Sequence, residues 1–207
     1  MRNSLLKDPD FLETLGLITP LPSTFQERIE KELQAQYFKK KHLLLRAGET
    51  ARKIYFIQKG FIRSYFIDTH GKEHTSWFMG KGQLIISNYS FLTQEPSYEY
   101  IEVLQDSKLQ SLNWHQLNAY YAEFKEGNLL GRIISQNQYL RSEESAFMLR
   151  NSSISERYSL LKEKYPDIDQ LTTQNHIASF LGISRETLSR LRRIKTKLCH
   201  ETQKSTI

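Results

Sequence analysis

Residues 172–193 read TTQNHIASFLGISRETLSRLRR, and this stretch decides the architecture of the C-terminal part of the chain. Ile177, Ala178 and Leu181 fall on one face of a short helix, and Ala178 is small where a second helix must cross closely. Gly182 stands where the backbone can take a positive φ after the helix ends. Ile183 fills the angle, and Ser184 is placed to cap a second helix whose inner face is Leu188 and Leu191. Two short amphipathic helices joined by a tight turn are a helix-turn-helix, whose second helix lies in the DNA major groove. Its outward face is Arg185, Glu186, Ser189, Arg190 and Arg193. Arginine can bond guanine bidentately, and glutamate can accept from cytosine. An αα-hairpin without function would have the two helices. It would not need the small residue, the glycine, the inner apolar positions and the local charge to agree.

The charge is concentrated in the same place. The chain has 207 residues and a formal net charge of +6, of which Arg185–Lys204 carries +5 and residues 1–184 only +1. A near-neutral body with a basic end is the electrostatic footprint of a polyanion binder, although a solvated basic tail would look the same in isolation. Composition is that of a globular protein, with 39% hydrophobic and 25% charged residues. No apolar run approaches the ~18 residues of a membrane span, and Asp8 and Pro9 interrupt the start before a signal-peptide core forms. A cytoplasmic protein is expected. The single cysteine, Cys199, excludes an intramolecular disulfide and an all-cysteine zinc or iron–sulfur site within one chain.

Upstream, the period changes. Residues 8–37 read as helical, with Pro20 and Pro22 separating a first piece from a second, Ser23–Tyr37, capped by Ser23. From Leu43 to Leu112 short apolar and aromatic runs are separated by turn signals at Gly48, Gly60, Gly71, Gly80, Gly82 and Pro96. Short strands at this spacing predict a small β-roll or barrel, so the fold class is α+β. Past Trp114 a four–three alternation runs through Glu126, Leu130, Ile133, Asn137, Leu140, Glu144 and Phe147. It is either a helix packed on its own β domain or a two-stranded dimer seam in which Asn137 fixes register, and the dimer is the favoured reading. Ser152, Ser153 or Ser155 can cap the next helix, which Pro166 ends. The expected domains are 1–125 (β-roll), 126–150 (dimerisation helix with Leu130, Ile133, Asn137, Leu140 and Phe147) and 151–207 (helix-turn-helix).

These motifs resemble, in order and from about residue 20 to 195, the bacterial transcription factors of the cyclic-AMP receptor protein and fumarate–nitrate regulator (CRP/FNR) group. Leu45–Glu49, Ile54–Gly60 and Phe61–Tyr65 are similar to the first strands of that family's β-roll, and Gly182–Arg190 to its recognition helix. Arg185, Glu186 and Arg190 coincide with the Arg-Glu-x-x-x-Arg triplet of cyclic-AMP receptor proteins. The resemblance implies a homodimer that reads double-stranded DNA at an inverted repeat of TGTGA-like half-sites, with RNA polymerase as a further partner and no membrane.

Two departures qualify the resemblance. The Gly-Glu pair and the following Arg that hold ribose and phosphate in cyclic-AMP binders are absent: Ser87 stands near the Glu position, Tyr98 near the Arg position, and Glu99 brings negative charge there. Ser87, Asn88, Tyr98 and Tyr100 are the candidate effector-pocket positions, and the cluster of Tyr89, Phe91, Tyr98 and Tyr100 is either a pocket lining or core. The wing that follows the recognition helix in typical relatives is missing from the pattern of residues 194–207. Backbone contacts are then expected from Arg192, Arg193, Lys195, Lys197, Thr173 and Gln174, with Ser184 at the helix start. No cofactor is expected, an iron–sulfur cluster included, and no effector can be named. The chain has no metalloprotease His-Glu-x-x-His, no phosphate-cradling glycine loop and no credible nucleophile, so an enzyme is not expected. The alternative to a DNA-binding regulator is a small-molecule sensor module that acts through a protein partner.

Overall fold

A computed structural model describes the backbone of residues 8–204 and the side chains of residues 8–194. Helices α1 (Phe11–Ile18) and α2 (Ser23–Glu32) lead into strands β1 (Gln34–Phe38), β2 (Leu43–Leu45), β3 (Lys53–Lys59), β4 (Phe61–Ile67), β5 (Glu73–Gly80) and β6 (Leu84–Ile85). Helix α3 (Asn88–Thr93) interrupts before β7 (Tyr100–Val103) and β8 (Ser107–Asn113). The rest is helical: α4 (Trp114–Glu123), α5 (Lys125–Asn151), α6 (Ile154–Lys164), α7 (Ile168–Leu171), α8 (Gln174–Leu181) and α9 (Arg185–Lys204). The fold is α+β, as expected. No helix of the described residues is long and apolar enough to cross a membrane.

The strands form two four-stranded sheets, in the orders β1-β8-β3-β6 and β2-β7-β4-β5. Their inner residues, among them Phe56, Ile57, Ile62, Ile85, Ile101 and Leu109, make one core with Phe11, Phe25 and Ile29 of the first two helices. Burial of these side chains is the main stabilising term, at about 1.5–3 kcal/mol for each large apolar residue. The N-terminus is tied down by a polar exchange. The Phe11 amide donates to Gln110 Oε1 (2.8 Å), and Gln110 Nε2 donates to Asp10 Oδ2 (2.6 Å), while Asp10 caps α1.

Two local expectations are corrected. The second helix stops at Glu32, and Gln34–Phe38 is a strand paired antiparallel with β8, Gln34 opposite Ser111 through Phe38 opposite Ser107. Residues Gln-Ala-Gln tolerate a helix, but pairing with a central strand satisfies their backbone groups better than a frayed helix end. Ser23 is the first helical residue rather than the cap, a place taken by Pro22.

Two compact units partition the chain. One comprises the residues up to Phe66 together with Ser76–Glu144; the other comprises Ile67–Thr75 and the residues from Ser145 on. The division falls inside α5, not at residues 125 or 150. Within the first unit the start of α5 lies against α4: a Cβ on Gly127 would come within 2.4 Å of the Tyr120 carbonyl oxygen, so this approach requires glycine. Leu130 is 4% exposed and belongs to the core, Ile134 packs against that core, and Arg141 stands over the Trp77 ring at 5.9 Å. Gly127, Leu130, Ile134 and Arg141 therefore form a stripe facing the rest of the first unit. This corrects the seam assigned to Leu130, which is spent inside its own unit. Asn137, Leu140 and Phe147, on a stripe offset around the helix, are exposed, and Ile133 is half-buried.

Candidate nucleic-acid interface

The helix-turn-helix is held by closures that its sequence encodes locally. Thr173 caps α8, its hydroxyl accepting from the His176 amide at 3.2 Å. The other end closes with Gly182 at φ +68°, its amide donating to Ser179 O (3.1 Å) and the Ile183 amide to Ala178 O (3.0 Å). This crossed pair satisfies carbonyls that the last turn would leave open. Ser184 Oγ then accepts from the Thr187 amide at 3.2 Å, opening α9. Ile177, Ala178, Leu181 and Leu188 are buried as expected, joined by Ile168, Tyr158 and Leu161.

Burying one face of α9 leaves the other to solvent. Arg185, Glu186, Arg190 and Arg193 are exposed, and Ser189 is half-buried. The Glu186 carboxyl is held below the usual carboxylate range, first by its own backbone amide, then by the Ser184 hydroxyl and by Arg185 and Arg190. It stays ionised and acceptor-only, which is what pairing with a base amino group requires. Thr173 and Gln174 at the start of α8 are exposed as well, with the Thr173 hydroxyl used in the cap.

Arg192 does not belong with them. Its guanidinium bonds Asp169, whose other carboxylate oxygen accepts from Lys162 at 3.1 Å, and stands over the Tyr158 ring at 5.8 Å. An arginine engaged on both sides ties α9 to α6 and α7, so its expected role as a free phosphate contact is corrected to an internal one. Arg157 plays a similar part that sequence reading missed: its Nη1 donates to Leu149 O (3.1 Å) and its Nη2 to Leu181 O (3.2 Å), capping the ends of α5 and α8. Ser153 is the true cap of α6, with a reciprocal bond from Glu156. The side chains of Lys195 and Lys197 lie outside the described residues. Helix α9 continues to Lys204, so among the described residues no β-hairpin follows it.

In the roll, the candidate effector positions separate. Ser87 is buried, with its Oγ 3.1 Å from Ser97 Oγ. Asn88 is exposed at the start of α3. Tyr98 is 64% exposed and pairs with Tyr89 at 5.5 Å between ring centroids, whereas Tyr100 stacks on Tyr65 at 5.0 Å. Phe91 is core. Strand register explains the split: Tyr65 opposes Tyr100 and Arg63 opposes Glu102 on one face of the β4–β7 pair, while Ser64 opposes Ile101 on the other. The aromatic cluster is thus neither one pocket nor one core. A buried cation that sequence reading missed, Arg63, lies on the Tyr100 face, bonded to Glu102 at 2.6 Å and stacked over Tyr65 at 4.0 Å. The Ser64 face carries Glu99 instead. Burial pushes the Glu99 carboxyl up, and the Ser87 and Ser64 hydroxyls pull it partly back. Among the described residues, the groups that act on Glu99 are a pair of hydroxyls and no cation, which gives a phosphate anion placed beside it no counter-charge from them.

Residues 35–124 match the family model of the cyclic nucleotide-binding domain. The anaerobic regulatory protein of Haemophilus influenzae is 27% identical over 165 residues, which take in 73% of this chain and 63% of that relative. The chain thus spans less than two thirds of the length of this curated relative. A transcriptional regulator of the CRP/FNR family from Eubacterium rectale superposes with a TM-score of 0.72 at 16% identity, over 89% of this chain and 88% of that one. The c-di-GMP responsive global regulator CLP of Xanthomonas campestris gives 0.66 at 15% identity, over 85% and 93%. The sequence matches give the homology, and the structural matches give the α+β fold of this group.

Proposed function

We propose that this chain, a homologue of the anaerobic regulatory proteins with the fold of the CRP/FNR transcription regulators, is a homodimeric regulator that binds DNA sequence-specifically. The observation that carries this reading is the division of α9 into a buried face and an exposed one bearing Arg185, Glu186 and Arg190. Base-directed side chains on the first turns of the second helix are the working part of a helix-turn-helix. Thr173, Gln174, Ser189, Arg193 and Lys195 supply the flanking contacts, chiefly to phosphates. The partners are double-stranded DNA, a second copy of the chain and RNA polymerase, and the setting is the cytoplasm. Selection of bound sequences from a random duplex pool at stated salt tests the reading. An inverted repeat with TGTGA-like halves, spaced about one helical turn between centres, is the expected outcome. Enrichment of no sequence would instead favour a sensor that acts through a protein partner.

Cyclic AMP is not the effector in this reading. A charge-assisted hydrogen bond contributes about 1.5–3 kcal/mol, so lacking two of them weakens binding on the order of hundreds-fold or more. The expected calorimetric result is no cyclic-AMP binding at micromolar concentration. A micromolar affinity would show that the Ser87–Tyr100 stretch is not the effector segment.

A further inference from the structure

We propose that Arg157 is a positioning residue for DNA readout: by joining the end of α5 to the turn of the helix-turn-helix, it sets the half-site spacing that the dimer accepts. The proposal rests on the reading of the chain as a homodimeric DNA-binding regulator, and it names a residue that governs specificity through the scaffold.

A fork of two hydrogen bonds carries the proposal. Arg157, near the start of α6, donates from Nη1 to Leu149 O at 3.1 Å and from Nη2 to Leu181 O at 3.2 Å. Leu149 lies in the last turn of α5, and Leu181 is the last residue of α8, immediately before the turn glycine Gly182. The closure of that turn uses the carbonyls of Ser179 and Ala178 and not that of Leu181. A cation shared by two helix C-termini also stands where both helix dipoles favour it. The planar guanidinium can reach two acceptors at once, which the point charge of a lysine cannot. Arg157 Nε is buried and has no hydrogen-bond partner. An unpaired buried donor costs free energy, so the two carbonyl bonds are what hold the group in place.

Packing explains why the fork matters. The buried core of the helix-turn-helix begins at Tyr158 and runs through Leu161, Ile177, Leu181 and Leu188. None of residues 145–151 is buried, and Phe147 and Leu149 are exposed. The last turns of α5 therefore add nothing to that core. Ser152 and Ser153 alone separate α5 from α6. A two-residue joint without apolar packing leaves several angles open, and the Arg157 fork selects one. Phe147, part of the proposed dimer seam, lies in this same end of α5, so a turn about the joint swings α9 relative to the partner's recognition helix. Each added base pair moves the second half-site by ~3.4 Å along the duplex and about 35° around it. Recognition helices held at one angle accept one spacing, whereas a loose joint accepts several.

The test measures the affinity of the full chain for its selected inverted repeat with the spacer shortened or lengthened by one and two base pairs. The unaltered protein is expected to prefer one spacer over its neighbours by roughly tenfold, and Arg157→Ala to level that preference to about twofold. Affinity for unrelated duplexes is expected to stay unchanged. Arg157→Lys, which can reach one carbonyl, is expected to fall between the two. An unaltered spacer preference in Arg157→Ala overturns the proposal. So does an equal loss on every duplex, which marks a phosphate contact where the salt slope also falls and a merely structural residue where it does not. Should Arg157→Ala lose its fold by circular dichroism, Arg157→Lys decides: a broadened preference supports the proposal and an unaltered one overturns it. If the unaltered protein prefers no spacer at all, the homodimer reading itself fails and the proposal falls with it.

Discussion

Replacing Leu140 and Phe147 together by glutamate is expected to turn a dimer into a monomer and to abolish specific DNA binding. Leu140 is 55% exposed and Phe147 66%, both large and apolar, and with Asn137 they share one stripe of α5. In a two-stranded seam these positions insert into the partner helix. Each glutamate would have to lose its water without a counter-charge, a cost of several kcal/mol per buried ion. A single protomer then contacts one half-site, and specific binding commonly exceeds non-specific binding by on the order of 10³-fold or more. The readout is sedimentation equilibrium beside a shift assay, with circular dichroism expected to stay unchanged because both side chains are exposed within the protomer. Leu130→Glu provides the contrast. Leu130 is core, so that change is expected to unfold the first unit rather than merely separate protomers. A monomeric unaltered protein at micromolar concentration would falsify the dimer.

The difference between Leu130 and Leu140 also marks how far the sequence was legible. Helical periodicity places both on related positions, but it cannot say whether an apolar residue meets its own domain or another molecule. The glycines at 127 and 131, where a Cβ would run into Tyr120 and Tyr121 of α4, let the start of α5 lie close enough for Leu130 to join the core. The helix-turn-helix was legible because its determinants are local: a cap at Thr173, a glycine at positive φ, and inner residues three and four apart. The roll was legible through its turn residues, though not where pairing across the chain decides. Gln34–Phe38 becomes a strand because β8 receives it, and Gln110 meets Asp10 across 100 residues. In the roll, Glu99 read as an obstacle to phosphate. Nothing in its sequence neighbours announces Ser64, 35 positions earlier, whose hydroxyl acts on it. Arg192 read as a phosphate contact because it lies in a basic run, and its partners Asp169 and Tyr158 come from two other helices.

Arg190→Ala is expected to cost about 1–3 kcal/mol per half-site and to relax preference at one guanine position, because a bidentate arginine discriminates among bases. A dimer loses this twice, so affinity for the matched inverted repeat is expected to fall by about two to six kcal/mol, while binding to mismatched duplexes changes little. Arg190 is exposed on the face of α9 opposite the buried Leu188, so its removal leaves the packing of the unit intact. Two further substitutions isolate the effect. Lys195→Ala is expected to weaken all sequences alike and to lower the salt slope by about one for each phosphate that Lys195 neutralises. Arg192→Ala is expected to act through stability, lowering the melting temperature of the second unit, because it breaks the tie to Asp169 and leaves the Tyr158 ring uncovered. Measuring the three variants on matched and mismatched duplexes over a salt series separates base readout, charge and scaffold. If Arg190→Ala lowers affinity equally for every sequence, Arg190 holds a phosphate, and the reading of α9 by its Arg185, Glu186 and Arg190 triplet fails.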